Sequence, residues 1–159
     1  MKILSILQWL LYAPLQILVA LVRYPLAPIA VVFFSTKDRK HLRLFGFLET
    51  IDNDLGGDSG WANEHIKPGS DPYSNWNRIK WLWRNGGDWV SYYVIGVPYD
   101  QVSGEDHNMN NGLYWDRNYH WMLRKVLFNK VELFWGWNIN GPVNGMCKFT
   151  FTTRKWSGH

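Results

Sequence analysis

Cysteine is almost absent from this chain, which has one thiol, Cys147, among 159 residues. A single thiol excludes an intrachain disulfide and any zinc site built from several cysteines. Charged residues are also scarce, at 19% against about 25% in typical soluble domains. The first 35 residues hold two of the 17 basic residues and no acid, which leaves 15 basic and 13 acidic residues in the remainder. That balance excludes the basic stripe of a nucleic-acid-binding protein.

Tryptophan, by contrast, is abundant, with 11 copies. Aromatic side chains make up 17% of the chain, and rings of this size are placed in cores, at membrane interfaces or on binding surfaces. A length of 159 residues suits one domain with an appendage. The composition therefore predicts an ordered, tryptophan-rich protein.

The N-terminal segment is long and apolar. Residues 3–22 carry no charge, and as a helix they would cover about 30 Å, the thickness of a membrane's hydrocarbon core. Pro14 predicts a kink in this helix, and residues 24–34, which contain Pro25 and Pro28, predict a separate interfacial or re-entrant arm. We therefore predict an apolar anchor at residues 1–35 and a small domain at residues 36–159.

Two alternatives to an anchor stay open: a cleaved signal peptide, and a helix buried in its own domain or in a larger assembly. A basic segment follows the apolar one, and it predicts contact with a membrane surface through Lys37, Arg39, Lys40 and Arg43. By the positive-inside rule, this segment places the C-terminal domain in the cytoplasm.

Residues 52–60 form a loop rich in acids and glycine. Asp52, Asp54 and Asp58 offer the clustered oxygens that a divalent cation prefers. The spacing does not match an EF-hand, because Gly56 occupies the third ligand position. The same residues are also typical of Asx-turns with solvated acids. The loop therefore predicts either a divalent-cation site or a set of turns.

An amphipathic helix is predicted between Asp71, as its N-cap, and the glycines at 86 and 87. Its apolar face is predicted to contain Trp76, Ile79, Leu82 and Trp83. Trp81 falls outside that face, which favours contact with a partner or a lipid headgroup.

The period of the hydrophobic pattern then changes to two. Strands are predicted at residues 88–97 and 131–139, and the second forms a terminal hairpin with residues 146–156. Residues 111–112 predict a turn that leads into residues 113–115, and the polar residues 101–110 predict a surface loop. Together, the segments predict an α+β fold with an N-terminal apolar helix, one amphipathic helix and an antiparallel sheet.

From about residue 45 to 156 the chain resembles a family of small uncharacterised proteins encoded by tailed bacteriophages. The resemblance implies a viral origin and a bacterial host, and it implies no activity. It is carried by two groups of residues: Asp52, Asn53, Asp58, Gly60, Trp61, Glu64 and His65, then Arg78, Trp81, Leu82, Arg84 and Asn85.

The leading functional hypothesis is a non-enzymatic bacteriophage accessory protein at the host inner membrane. It would bind lipid and an unknown host or viral protein, with Trp61, Glu64, His65 and Trp81 as candidate partner-binding residues and no resident cofactor. One alternative is a virion component whose apolar leader docks into another capsid, tail or ejection protein. Another is a metal-dependent hydrolase that uses the loop carboxylates together with Glu64 and His65.

Overall fold

The structure, a computed structural model, describes residues 1–100, 111–128 and 130–155; the loop predicted at 101–110 lies outside them. The fold is α+β, as predicted, with a long apolar N-terminal helix, shorter helices and antiparallel sheets. The helices are α1 (Lys2–Phe33), α2 (Ser59–His65), α3 (Asn75–Asn85) and α4 (Asp88–Tyr93), with a 3-10 turn at Gly46–Leu48. The strands are β1 (Val97–Pro98), β2 (Gly112–Trp115), β3 (Trp121–Leu127), β4 (Val131–Trp137), β5 (Met146–Cys147) and β6 (Phe149–Lys155).

Helix α1 continues through all three of its prolines to Phe33. The prediction of a separate arm at residues 24–34 is therefore wrong. Proline weakens a helix locally, but Ala27, Ala30 and Val31 are fully buried, and tertiary packing of this kind supplies most of a helix's stability in proteins.

The chain divides into two compact units. The sheet unit comprises Met1–Gln16 and Ser91–His159, and the helical unit comprises Ile17–Val90. This division by packing does not test whether residues 1–35 act as an anchor for residues 36–159. The predicted anchor and domain therefore stay a prediction.

The sheet unit is built on a four-stranded antiparallel sheet in the order β2-β3-β4-β6. The predicted terminal hairpin is confirmed, with Trp135 opposite Phe151 and Trp137 opposite Phe149. Trp9 of α1 packs on this sheet, 5.2 Å from Trp121 and 5.6 Å from Phe149 between ring centroids, and its indole N–H donates to the Thr150 carbonyl at 3.1 Å. Helix α1 is therefore a component of the sheet unit's core.

Residues 88–97 do not form the predicted strand. Asp88–Tyr93 is the helix α4, and only Val97 belongs to a strand, pairing with Cys147. Trp89 and Tyr93 are exposed while the residues between them are buried, a four-residue spacing that matches a helix rather than a strand. The aromatic and β-branched composition indicated a strand, but packing overrides such propensity.

In the helical unit, α3 begins later than predicted. Its N-cap is Ser74, whose hydroxyl accepts from the Asn77 N–H at 3.3 Å, whereas Asp71 closes a turn by accepting from the Tyr73 N–H at 2.8 Å. Gly86 ends the helix, as predicted. Buried Ile79 and Leu82 pack with α1 residues such as Ala27 in the unit's core.

Candidate functional site

Two carboxylates of the acid and glycine loop are used by the local fold. Asp54 accepts from the Gly56 N–H at 2.8 Å, an Asx-turn, and from the Tyr73 hydroxyl at 2.9 Å. This hydrogen bond to the carboxylate raises the pKa of Tyr73. Asp58 is the N-cap of α2 and accepts from the Trp61 N–H at 2.7 Å. Asp52 is exposed.

Of the three loop aspartates predicted as metal ligands, Asp54 and Asp58 therefore have local structural roles and Asp52 faces solvent. Within residues 1–100, 111–128 and 130–155, no group of three His, Cys, Asp or Glu side chains is placed to hold a metal ion. The loop was predicted to form either a divalent-cation site or a set of turns, and the described residues form turns and a helix cap.

The residues predicted to bind a partner do come together. Helix α2 carries Trp61, Glu64 and His65, and α3 carries Trp81. Trp61 and Trp81 meet edge to face at 5.6 Å between ring centroids, and the His65 ring lies 4.5 Å from Trp61. Two consecutive helices thus build one aromatic cluster.

Cations surround this cluster. Lys80 and the Arg84 guanidinium each lie 5.8 Å from the Trp61 ring centroid, within the range of cation–π attraction. Arg84 is hydrogen-bonded to His65 and lies 3.8 Å from the Glu64 carboxylate, which is 3.4 Å from His65. Arg84 and Glu64 are therefore paired with each other beside His65, and Lys80 donates to the His65 carbonyl at 3.4 Å.

A cavity of about 180 Å³ opens beside the cluster. Its walls combine aromatic, charged and amide groups, from Asp58, Gly60, Trp61, Glu64, Trp81, Arg84 and Asn85. All seven residues are among those that carry the resemblance described above. The indole N–H groups of Trp61 and Trp81 are buried and have no hydrogen-bond partner among the described residues.

Trp81 lies on a packed side of α3, although the helical pattern placed it outside the apolar face. Trp81 is 3% exposed, whereas Trp76, assigned to the apolar face, is 58% exposed. The contact with Trp61 explains the difference, because it gives α3 a second packed side that periodicity within α3 alone does not reveal. Of the residues that line the cavity, Trp61 and Trp81 are therefore buried, and Glu64 and Arg84 are exposed.

The predicted membrane-surface residues, Lys37, Arg39, Lys40 and Arg43, are all exposed. Arg39 forms an ion pair with Asp71 at 2.9 Å, and Lys40 lies 6.0 Å from the Tyr73 ring centroid. Buried Arg78 fastens this segment to α3 by donating to the Ser35 hydroxyl at 2.6 Å and to the Arg39 carbonyl at 3.2 Å. Burial lowers the pKa of Arg78.

Helix α1 has two chemically different faces. Its inward face recurs every three to four residues. After the exposed Lys2, this face holds every polar side chain of the helix, Ser5, Gln8, Gln16 and Arg23, together with Trp9, Ala13, Ala27, Ala30 and Val31. Every exposed side chain from Ile3 to Phe33 is aliphatic, proline or aromatic. The usual arrangement of a surface helix, polar side outward, is reversed.

The length and composition of α1 are sufficient for it to cross a membrane, although a signal sequence or a core helix would have the same composition. In the most apolar stretch of 18 residues in α1, only 17% is buried. Sequence reasoning measured the length of the uncharged run and missed the two faces. A signal was present, because Ser5, Gln8, Gln16 and Arg23 follow a helical period.

No curated protein and no solved structure matches this chain. The sequence pattern of one protein family matches residues 1–156, so the pattern includes α1 as well as both units. The chain belongs to this family, a family of unknown function (DUF7338).

Proposed function

We propose that this protein is a non-enzymatic accessory protein that attaches to a membrane surface through the outward face of α1 and binds a protein partner at the Trp61–Trp81 cavity. The observation that carries the proposal is the reversed polarity of α1. Leu11, Leu18 and Leu21 are 75%, 55% and 65% exposed, so about half or more of each side chain still faces solvent. Contiguous apolar surface of this extent is typical of membrane or protein contact sites.

Attachment at the surface fits the packing of α1 better than a complete crossing. A spanning helix needs lipid or apolar protein around its whole circumference, with its polar groups satisfied. On α1, Trp9 is hydrogen-bonded to the sheet, and Gln16 accepts from the Ser91 hydroxyl at 3.0 Å. A helix with one face on protein and the other apolar is suited to lie in the interface between lipid headgroups and acyl chains.

The cavity is the proposed site for the partner. About 180 Å³ is smaller than the roughly 300–1,000 Å³ of pockets that enclose small-molecule ligands, and it is large enough for one side chain of a docked protein. Its lining combines two tryptophans, a carboxylate and a guanidinium. This composition matches that of protein interaction sites, in which Trp and Arg dominate the binding energy.

The bacteriophage origin and the inner membrane of a bacterial host remain part of the proposal and rest on the resemblance. The same outward face of α1 would also suit a virion component that docks into another viral protein. Mass spectrometry of purified particles separates the two, because a membrane-attached accessory protein should be absent from particles and present in the membranes of infected cells.

Vesicle flotation of the intact chain without detergent tests membrane attachment. We expect the protein to float with phosphatidylcholine vesicles and to be released by alkaline carbonate, which strips surface proteins and leaves spanning ones. Recovery of the whole chain as a dispersed monomer that does not float would contradict the proposal. If the protein stays with the vesicles after carbonate treatment, α1 crosses the membrane rather than lying on its surface.

A further inference from the structure

The turn between β3 and β4 presents an aromatic side chain to solvent. Phe128 is 91% exposed, more than any other large apolar side chain in the described ranges. Its φ is +53°, a left-handed conformation that glycine and asparagine adopt more readily than a bulky residue. Phe128 thus has neither a packing role nor a favourable turn conformation.

The strands beside this turn carry an apolar surface edged with lysines. Paired residues of an antiparallel sheet point to the same side, and the register pairs Lys125 with Leu133 and Val131 with both Leu127 and Lys155. The three aliphatic side chains are partly exposed, and Lys125 and Lys155 are exposed. Lys130, in the turn, is exposed as well.

No acid shares this face among the described residues of the four strands. Glu132 points to the opposite side and is 2% exposed, held by Arg124 Nε at 2.8 Å and Arg154 Nε at 2.7 Å. The end of the sheet at the β3–β4 turn is therefore apolar and positively charged. These properties are complementary to a lipid bilayer, whose interior is apolar and whose headgroups can be anionic.

We propose that the β3–β4 turn is a second membrane contact, in which Phe128 enters the lipid interface and Lys125, Lys130 and Lys155 bind anionic headgroups. Aromatic rings favour the interfacial depth, and lysines extend their ammonium groups toward phosphate while their stems stay in apolar surroundings. This inference rests on the proposed attachment to membranes, and it adds the charge of the lipid and a contact independent of α1.

Flotation of the full chain with two kinds of vesicle tests the proposal: phosphatidylcholine alone, and phosphatidylcholine mixed in equal parts with phosphatidylglycerol. The variants are Phe128→Asn, which suits the positive φ, Phe128→Leu, which keeps an apolar side chain, and the double variant Lys130→Glu with Lys155→Glu. Lys67→Glu, a charge reversal at an exposed position of the helical unit, is the matched control. Leu11→Glu reports on α1.

We expect wild type to bind the anionic vesicles more tightly than the neutral ones. The double variant should lose about fivefold or more in affinity per lysine on anionic vesicles only. Phe128→Asn should lose about tenfold, with Phe128→Leu and Lys67→Glu close to wild type. Thermal unfolding of Phe128→Asn should be unchanged or shifted upward, which separates lost binding from lost folding.

Equal binding by wild type, Phe128→Asn and the double variant, with loss only in Leu11→Glu, would overturn the turn contact and leave attachment through α1 intact. Loss in the turn variants with normal binding by Leu11→Glu would instead overturn attachment through α1. Phe128-dependent retention on immobilised polyglutamate without binding to anionic vesicles would replace lipid by an acidic protein.

Discussion

The exposed leucines on the outward face of α1 allow us to predict how much this face contributes to binding vesicles. Leu7, Leu11 and Leu18 lie on one stripe and are 54%, 75% and 55% exposed. Moving a fully exposed leucine out of water is worth about 1.5–3 kcal/mol, so these partly exposed side chains should each gain about 1–2 kcal/mol in lipid. Replacing all three by glutamine should weaken partitioning into vesicles by about 4 kcal/mol, a factor of about a thousand.

The same replacement should change the folded protein little. Glutamine is nearly as good a helix former as leucine, and substitutions at exposed sites usually shift the free energy of unfolding by less than about 0.5 kcal/mol each. Flotation with phosphatidylcholine vesicles measures the partitioning, and chemical denaturation measures the free energy of unfolding. Leu44→Gln, at a side chain 51% exposed outside α1, is the control.

Two results would refute this reasoning. If the triple variant floats as wild type does, the outward face does not hold the protein on lipid. If instead the triple variant unfolds with a loss of several kcal/mol, these leucines are part of a protein interior, and the face serves packing within an assembly.

Three further predictions concern residues that stabilise the two units. Trp9→Ala should lower the free energy of unfolding by about 3–5 kcal/mol in denaturant titrations, because it empties the centre of the sheet unit's core; a change below about 1 kcal/mol would mean that α1 is a free anchor. Gly57→Ala should destabilise by about 1–3 kcal/mol and alter tryptophan fluorescence, because φ is +80° and a Cβ would lie 2.5 Å from Trp61 Cδ1; unchanged fluorescence and stability would contradict the packing of the cavity. Burial raises the pKa of Glu132, but hydrogen bonds and charges from Arg124 and Arg154 outweigh it and hold this pKa below its ordinary value. The ionised carboxylate therefore stabilises the fold at pH values above the ordinary pKa, and this contribution is lost as the pH falls through the lowered pKa. The difference in unfolding free energy between wild type and Glu132→Gln should therefore be largest near neutral pH and shrink below about pH 4, and a difference independent of pH would contradict this assignment.

The sequence predicted those parts of the fold whose signal is local. The alternation from Val131 to Trp137 predicted the strand, because the period of two has no helical counterpart. It did not predict which side is buried, since Glu132 is 2% exposed while Val131 and Leu133 are only partly buried. Residues 88–97 were misassigned because their aromatic and β-branched composition suits either structure when it is buried. The cap at Ser74 was missed because Asp71 and Pro72 also match a helix start.

The sequence singled out four residues that the structure brings together, but it did not predict their geometry. Trp61, Glu64, His65 and Trp81 share the cavity region, yet the burial of Trp81 depends on a contact across 20 positions of sequence. The two faces of α1 could have been read from Gln8, Gln16 and Arg23, whose spacing is helical. The exposure of Phe128 could not, because a phenylalanine between strands reads as a core residue until the register is known.

The native thiol makes a direct test possible. Cys147 is fully buried, and burial raises its pKa to about 12, so a water-soluble maleimide should modify only newly introduced cysteines. The decisive measurement is the labelling rate of Leu11→Cys with and without phosphatidylcholine vesicles, beside Ser70→Cys at an exposed polar turn. If the outward face of α1 lies in lipid, vesicles slow the labelling at position 11 and leave position 70 unchanged. Equal rates at position 11 in both conditions would contradict membrane attachment through this helix.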